Sequence, residues 1–197
     1  MKLPRYSWLL LLAAAACSRP TDLAGRPVSP YHDIELRMTK EARFIGLEKV
    51  RYLTSAVFKS RALREGYVEE YARRYELPPT EREKLRKREL EEADKFDVFL
   101  VSHFATDKDT GKLTQEAKVW RLALVADGNE AEAIEPDYVG ALDSTDTVLR
   151  YFYPQITAWS KVFLVKFKRR GDPARLELRM AGVVDTVSFD WNLGKGS

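Results

Sequence analysis

The sequence has one cysteine and two histidines in 197 residues. A single thiol excludes an intramolecular disulfide and any metal site built from several cysteines, so packing must hold the fold. His32 and His103 lie far apart, and neither belongs to an H-E-x-x-H pattern, which excludes the helical zinc-protease arrangement. His103 adjoins Phe104 and reads as a packed residue rather than a ligand or a base. No G-x-S-x-G elbow, Walker loop or dinucleotide fingerprint occurs, so the usual parts of nucleophilic and nucleotide chemistry are missing. An excess of one charge is missing too: Lys plus Arg total 33 against 30 Asp plus Glu, with Lys2 and Arg5 in a leader expected to be removed. The near-neutral remainder does not make the concentrated positive field that nucleic-acid binding needs. No period of 20 to 50 residues repeats, which excludes a solenoid or a propeller.

The chain also lacks an apolar run of the roughly 20 residues that a membrane-spanning helix requires. Its longest, Trp8 to Ala16, follows Lys2 and Arg5 and has the length of a signal-peptide core. Small residues then lead to the one cysteine in Ala14-Ala15-Ala16-Cys17. This stretch resembles a bacterial lipobox, with alanine at position 14 where leucine is commonest. The resemblance implies cleavage before Cys17 and acylation of its sulfur and its new amine by chains such as palmitate. Two or more chains give stable anchoring where one gives marginal, reversible binding. Ser18 stands where many enterobacterial lipoproteins carry the aspartate that implies inner-membrane retention, so the expected address is the outer membrane, facing the periplasm.

The expected organisation is a signal peptide over 1–16, a lipidated cysteine and flexible tether over 17–33, and one β-rich domain over 34–197. Pro20, Gly25, Pro27 and Pro30 give the tether its extended character. Ile34, Leu36 and Met38 alternate with Glu35 and Arg37, the period of a half-buried strand. A second short strand is expected between Phe44 and Val50. Over 55–76 the period changes, with Phe58, Leu63, Tyr67, Tyr71 and Tyr75 near one helical face and Lys59 and Arg64 among the charges elsewhere. Thr80 and Glu83 then form a capping-box pattern for a second helix to about Lys95. That helix is nearly all charged, with mixed signs, and reads as a solvated face. The helical insertion thus covers about 55–95.

From Phe96 onward the pattern is strands and turns. FDVFLVSHFAT is apolar on both faces and suits a central strand; VWRLALVA, WSKVFLVKF, ARLELRM and VVDTVSFDW follow, with Leu176, Leu178 and Met180 facing inward. Asp107, Asp109 and Gly111 resemble the opening of a calcium loop but lack its closing glutamate, and read as a hairpin turn. The expected fold is an antiparallel β-sandwich, transthyretin- or immunoglobulin-like, with an inserted helical hairpin; a lipocalin-like barrel is the alternative. GRPVSP followed by an expected strand is similar to the start of the type VI secretion lipoproteins over about a dozen residues. That resemblance implies a transthyretin-like sandwich with extra helices and an inner-membrane partner. IELRM stands where that family has a tyrosine-containing strand, so no site residue carries over.

In RYFYPQITAW, Tyr151, Phe152, Tyr153 and Trp159 concentrate aromatic surface around Pro154. They are the candidate partner-binding residues, since aromatics give large contact area at low entropic cost. The competing reading is that they plug one end of the core. No catalytic residue, metal or cofactor is expected. The leading functional expectation is a membrane-anchored, noncatalytic envelope lipoprotein that binds a partner protein or aids assembly in the periplasm. A lipid or small-ligand carrier, and a hydrolase using carboxylates or His103, are the alternatives.

Overall fold

The structure is a computed structural model that describes residues 29–45, 50–106, 113, 119–183 and 185–194. The leader, Cys17, the tether as far as residue 28 and the 107–112 turn lie outside the described residues. Among the described residues eight strands form two antiparallel sheets. The larger has the order β1-β2-β3-β6-β5, from β1 (Thr39–Ile45), β2 (Val50–Phe58), β3 (Phe96–Ala105), β5 (Tyr138–Leu142) and β6 (Lys161–Lys168). The smaller is β4-β7-β8, from β4 (Trp120–Ala126), β7 (Arg175–Gly182) and β8 (Thr186–Asn192). The sheets pack face to face and neither closes on itself, so the fold is a β-sandwich and not the barrel held as the alternative.

Strand alternation decides what lies between the sheets. Phe99 and Val101 of β3, Phe163, Val165 and Phe167 of β6, and Ala56 and Phe58 of β2 point inward. They meet Leu122 and Leu124 of β4, Leu176, Leu178 and Met180 of β7, and Phe189 and Trp191 of β8. The ring of Phe99 lies 5.1 Å from that of Phe58 and 5.2 Å from that of Trp191. Each of the Val, Leu, Met and Phe side chains among them stabilises the fold by about 1.5–3 kcal/mol on burial. Trp191 Nε1–H donates to the Met38 carbonyl at 2.7 Å, so its polar edge is satisfied as well.

The central strand β3 is buried on both faces, as its apolar run implies. Its second face, with Val57 of β2 and Val162 of β6, lies under helices. These are α1 (Pro30–Met38), α2 (Arg61–Arg74), α3 (Pro79–Lys95) and α4 (Thr147–Phe152). Tyr31 of α1, Leu63 of α2, Phe152 of α4 and the following Tyr153 and Ile156 form this second core. The larger sheet is therefore the middle layer of three. No described helix is long and apolar enough to cross a membrane.

Four local expectations are corrected. Residues 34–38 are helical, not a strand. Ser29 caps α1 and Pro30 presets its first turn, and Tyr31, Ile34, Glu35 and Met38 follow helical spacing inward while Leu36 is left 50% exposed. Residues 55–58 belong to β2, with 55–57 paired on both sides, and the helix begins only after Ser60, whose hydroxyl accepts from the Leu63 N–H. Thr80 and Glu83 make no capping box, because α3 starts two residues earlier, on Pro79, with Pro78 at the cap and no side-chain cap bond. Finally, β5 and α4 occupy a stretch for which no element was expected, beyond the aromatic segment that α4 enters.

Candidate binding site

The site grows from the junction of β2 and α2. Strand alternation sends Phe58 into the sandwich and the next residue, Lys59, to the helical side. One turn into α2, Arg64 is completely buried, and its Nε donates back to the Lys59 carbonyl at 3.0 Å. Packing of α3 on α2 brings Glu89 and Glu92, three residues apart and so on one helical face. Arg64 Nη1 donates to the Glu89 carbonyl at 3.2 Å, to Glu89 Oε2 at 3.0 Å and to Glu92 Oε2 at 2.8 Å. Lys166, from β6, closes the other end by donating to Glu92 Oε1 at 2.6 Å. Lys59 Nζ lies 3.6 Å from Glu89 Oε2. The order is Lys59, Glu89, Arg64, Glu92, Lys166: three cations and two carboxylates drawn from α2, α3, β6 and the link between β2 and α2. Arg64 Nη2 is buried and has no hydrogen-bond partner.

The protonation chemistry follows from burial and pairing. Burial opposes charge on Glu92, but hydrogen bonds from Lys166 and Arg64 outweigh it and hold the carboxyl down at about 2. Burial pushes the Lys59 ammonium below its ordinary value, and Glu89 offsets only part of that. Burial, reinforced by Glu89, pushes the Tyr67 phenol up to about 12. Tyr153 is likewise raised by burial. Both phenols are therefore hydrogen-bond donors at neutral pH.

Beside this cluster lies a trough of about 290 Å³. Its floor is the helix-facing side of the larger sheet, where Leu100, Leu164 and Leu142 lie on neighbouring strands. Val148, Leu149 and Phe152 of α4 form one wall, and Tyr67 and Glu89 stand on the helical hairpin opposite. The exposed part of the Lys59 side chain, 16% of it, borders the same space. Asp146 at the rim caps α4, its Oδ1 accepting from the Val148 and Leu149 N–H groups. The combination of apolar walls with a few polar groups, one of them a lysine of perturbed pKa, is the makeup of a ligand site.

The candidate aromatic residues fall in different places. Phe152 and Tyr153, 2% and 5% exposed, are interior and border the trough, so they form no surface patch. Their rings fill the gap between α1, α2 and the sheet; Phe152 meets Tyr67 with centroids 4.6 Å apart. Tyr151 is half-buried, its hydroxyl donating to Glu70 and its ring covered by Arg74 at 4.5 Å. Trp159 alone is open, 82% exposed. Cys17 lies outside the described residues. His103 is 1% exposed between the sheets, with Thr54 Oγ1 2.7 Å from its Nδ1 and Trp120 edge-on to its ring, a packed position as expected.

A larger depression of about 780 Å³ at one end of the sandwich gathers Asp94, Asp97, Asp127 and Asp172. Each is already engaged: Asp94 with Arg61 at 3.2 Å, Asp97 and Asp172 with Arg169 at 3.5 and 2.5 Å, and Asp127 with the Arg175 N–H at 2.9 Å. Burial displaces the Asp97 carboxyl upward in pKa, against the opposing effect of Arg169. Among the described residues no group of three His, Cys, Asp or Glu side chains could hold a metal ion.

Lys59, Arg64, Glu89, Glu92 and Lys166 were not singled out by sequence reasoning, which places α3 as a solvated face. That holds for most of α3, but Glu89 is buried. A signal was present: Glu89 lies midway between Leu85 and Ala93 at four-residue spacing, on the stripe carrying two of the helix's few apolar residues. No protein-family model, curated protein or solved structure matches this chain.

Proposed function

We propose that the chain is a lipid-anchored bacterial envelope lipoprotein, acylated at Cys17 and held at the outer membrane facing the periplasm, whose sandwich is a noncatalytic module that binds a small ligand. The anchor is supported by the charged, apolar and small-residue succession from Lys2 to Cys17. The observation that carries the binding role is the trough, whose apolar floor ends at a half-buried lysine rather than at a filled core. Acyl chains on Cys17 would keep the module, and any ligand it carries, within tether reach of the lipid surface. Fractionation of cells expressing the parent and Cys17→Ala, with native mass spectrometry of the purified parent, tests both parts. The expected result is that the parent stays with membranes and retains a small molecule, while Cys17→Ala is recovered in the soluble fraction. A Cys17→Ala protein that remains membrane-bound refutes the anchor, and a parent that carries and accepts no small molecule refutes the carrier.

A partner protein is the second reading, favoured by Trp159. This ring is presented on a turn fixed by the Ser160 N–H donating to the Thr157 carbonyl at 3.1 Å and by a 2.8 Å contact between their hydroxyls. A rigid, exposed tryptophan is a characteristic interface anchor. Crosslinking from position 159 in intact cells that recovers one reproducible protein supports it; recovery of none refutes it.

A further inference from the structure

We propose that the trough takes a small amphiphile of single negative charge, an acid head on a chain of about eight carbons, with its head at Lys59 and its chain across Leu100, Leu164 and Leu142. This rests on the small-ligand reading above and names the class of ligand.

Charge is the first argument. Three cations, Lys59, Arg64 and Lys166, form ion pairs with two carboxylates, Glu89 and Glu92. Asp97, paired with Arg169 on the sandwich side of β3, acts on Arg64 only at longer range, Asp146 Oδ1 is taken up by the N-terminus of α4, and Arg88 lies 4.0 Å from Glu89. Lys59 is thus the cation of the cluster with the weakest carboxylate pairing, and an incoming anion supplies it with a closer partner.

Position is the second. Arg64 and Lys166 are fixed by bonds of 2.6 to 3.2 Å, whereas Lys59 has only the 3.6 Å contact with Glu89 and is the cation that borders the trough. Its ammonium can turn from Glu89 to an acid head without breaking a good hydrogen bond, and Tyr67 can donate to the same head. An anion there also opposes the downward shift that burial imposes on the Lys59 ammonium.

Size is the third. At roughly 30 Å³ for each water-sized group, a space of about 290 Å³ holds about ten non-hydrogen atoms. Octanoate has that number. The leucine floor and the Phe152 wall suit a hydrocarbon chain, while a dianionic or sugar-bearing head has too few polar partners.

The test is calorimetric titration of the full acylated protein in micelles of a sugar-headed detergent with octanoate, octan-1-ol and octyltrimethylammonium, against protein-free micelles. Octanoate is expected to bind saturably at one site and the other two not. Lys59→Met should weaken octanoate by about tenfold or more, the loss of one charge-assisted hydrogen bond, while Lys59→Arg retains binding and Leu164→Trp, which fills the floor, abolishes it. Circular dichroism checks each fold; if Lys59→Met does not fold, the Lys59→Arg, Leu164→Trp and three-probe comparisons decide. Octan-1-ol binding as tightly as octanoate, or octanoate binding unchanged in Lys59→Met, overturns the acid-head assignment and leaves the carrier reading standing. No saturable binding of any probe overturns the assignment; if native mass spectrometry also finds no retained molecule, the carrier reading falls with it.

Discussion

Replacing Arg64 with methionine keeps most of the buried stem and removes the group that joins α2 to α3. The guanidinium makes four hydrogen bonds, to the Lys59 and Glu89 carbonyls and to the Glu89 and Glu92 carboxylates. Its loss leaves Glu89 to Lys59 and Arg88 and Glu92 to Lys166, two carboxylates in a confined site without the cation that bridges them. Removing one partner of a buried ion pair costs about 3–5 kcal/mol, a large part of the roughly 5–15 kcal/mol that holds a typical domain folded. A pH signature should accompany it. The Glu92 carboxyl falls from an ordinary 4.5 to about 2 in the folded protein. A folded value below the unfolded one means that its stabilisation is present above pH 4.5 and disappears as pH falls toward 2. At 1.36 kcal/mol per unit its ceiling is about 3 kcal/mol, lowered by the 27% exposure of the side chain. In Arg64→Met only Lys166 still holds that carboxylate, so less stability remains to be lost to acid.

Urea unfolding at pH 7 and pH 3, followed by fluorescence of the buried Trp120 and Trp191, measures both effects. Glu70, held near 2 by Arg73, Tyr151 and Arg74 against the opposing effect of burial, titrates alike in both proteins and cancels in the difference. The expected variant is less stable by about 3–5 kcal/mol at pH 7, with a gap from the parent that narrows at pH 3. A gap under about 1 kcal/mol at pH 7, the scale of an exposed ion pair, or one that does not narrow in acid, refutes the structural role given to the cluster.

Two further changes test the packing. Phe152→Ala opens the junction of α1, α2 and α4 and should cost about 3–5 kcal/mol, read as a lowered urea midpoint with an unchanged slope. Gly182→Ala should be destabilising by about 1–3 kcal/mol, because a Cβ there strikes the Val119 carbonyl oxygen and the Trp120 ring at the start of β4. A Gly182→Ala protein as stable as its parent shows that this strand end relaxes freely.

The sandwich was legible where a strand has one inward face and little else to do. In β7 and β8, alternation puts Leu176, Leu178, Met180, Val187, Phe189 and Trp191 inside without exception. The chain turns after β4 at Asp127 and Gly128, with φ of 50° and 75° at the two positions, a conformation that Asp and Gly adopt more readily than most residues. Alternation failed at residues 34–38, because three apolar residues in five satisfy a helix as well as a strand, and the deciding information lay upstream in Ser29 and Pro30. It failed at β5 because this five-residue edge strand has no buried position and thus no pattern to detect. The aromatic wealth of 151–159 was visible, but not its division into a wall at Phe152 and Tyr153 and an exposed ring at Trp159. Burial of Arg64 was the least legible feature, since arginine is almost never fully buried unless it is paired, and both of its carboxylate partners lie on another helix.

The helical hairpin explains why a trough exists in this fold. A three-stranded sheet covers one face of the larger sheet; the other needs a second cover, and four helices of unequal length supply it. Helices α1 and α2 cross β2 and β3, and six-residue α4 packs through Phe152, leaving β5 and the adjoining part of β6 with half-exposed leucines. In a purely structural hairpin, apolar residues on α3 would extend across that gap, and substituting them for a buried ion cluster is commonly neutral or stabilising. Here α3 turns Glu89 and Glu92 toward it, and the ion cluster they complete keeps α2 and α3 together while holding Lys59 at the margin of an apolar floor. An insertion serving only to cover the sheet would gain nothing from polar groups in that position; one serving a ligand with a polar end and an apolar end would require them.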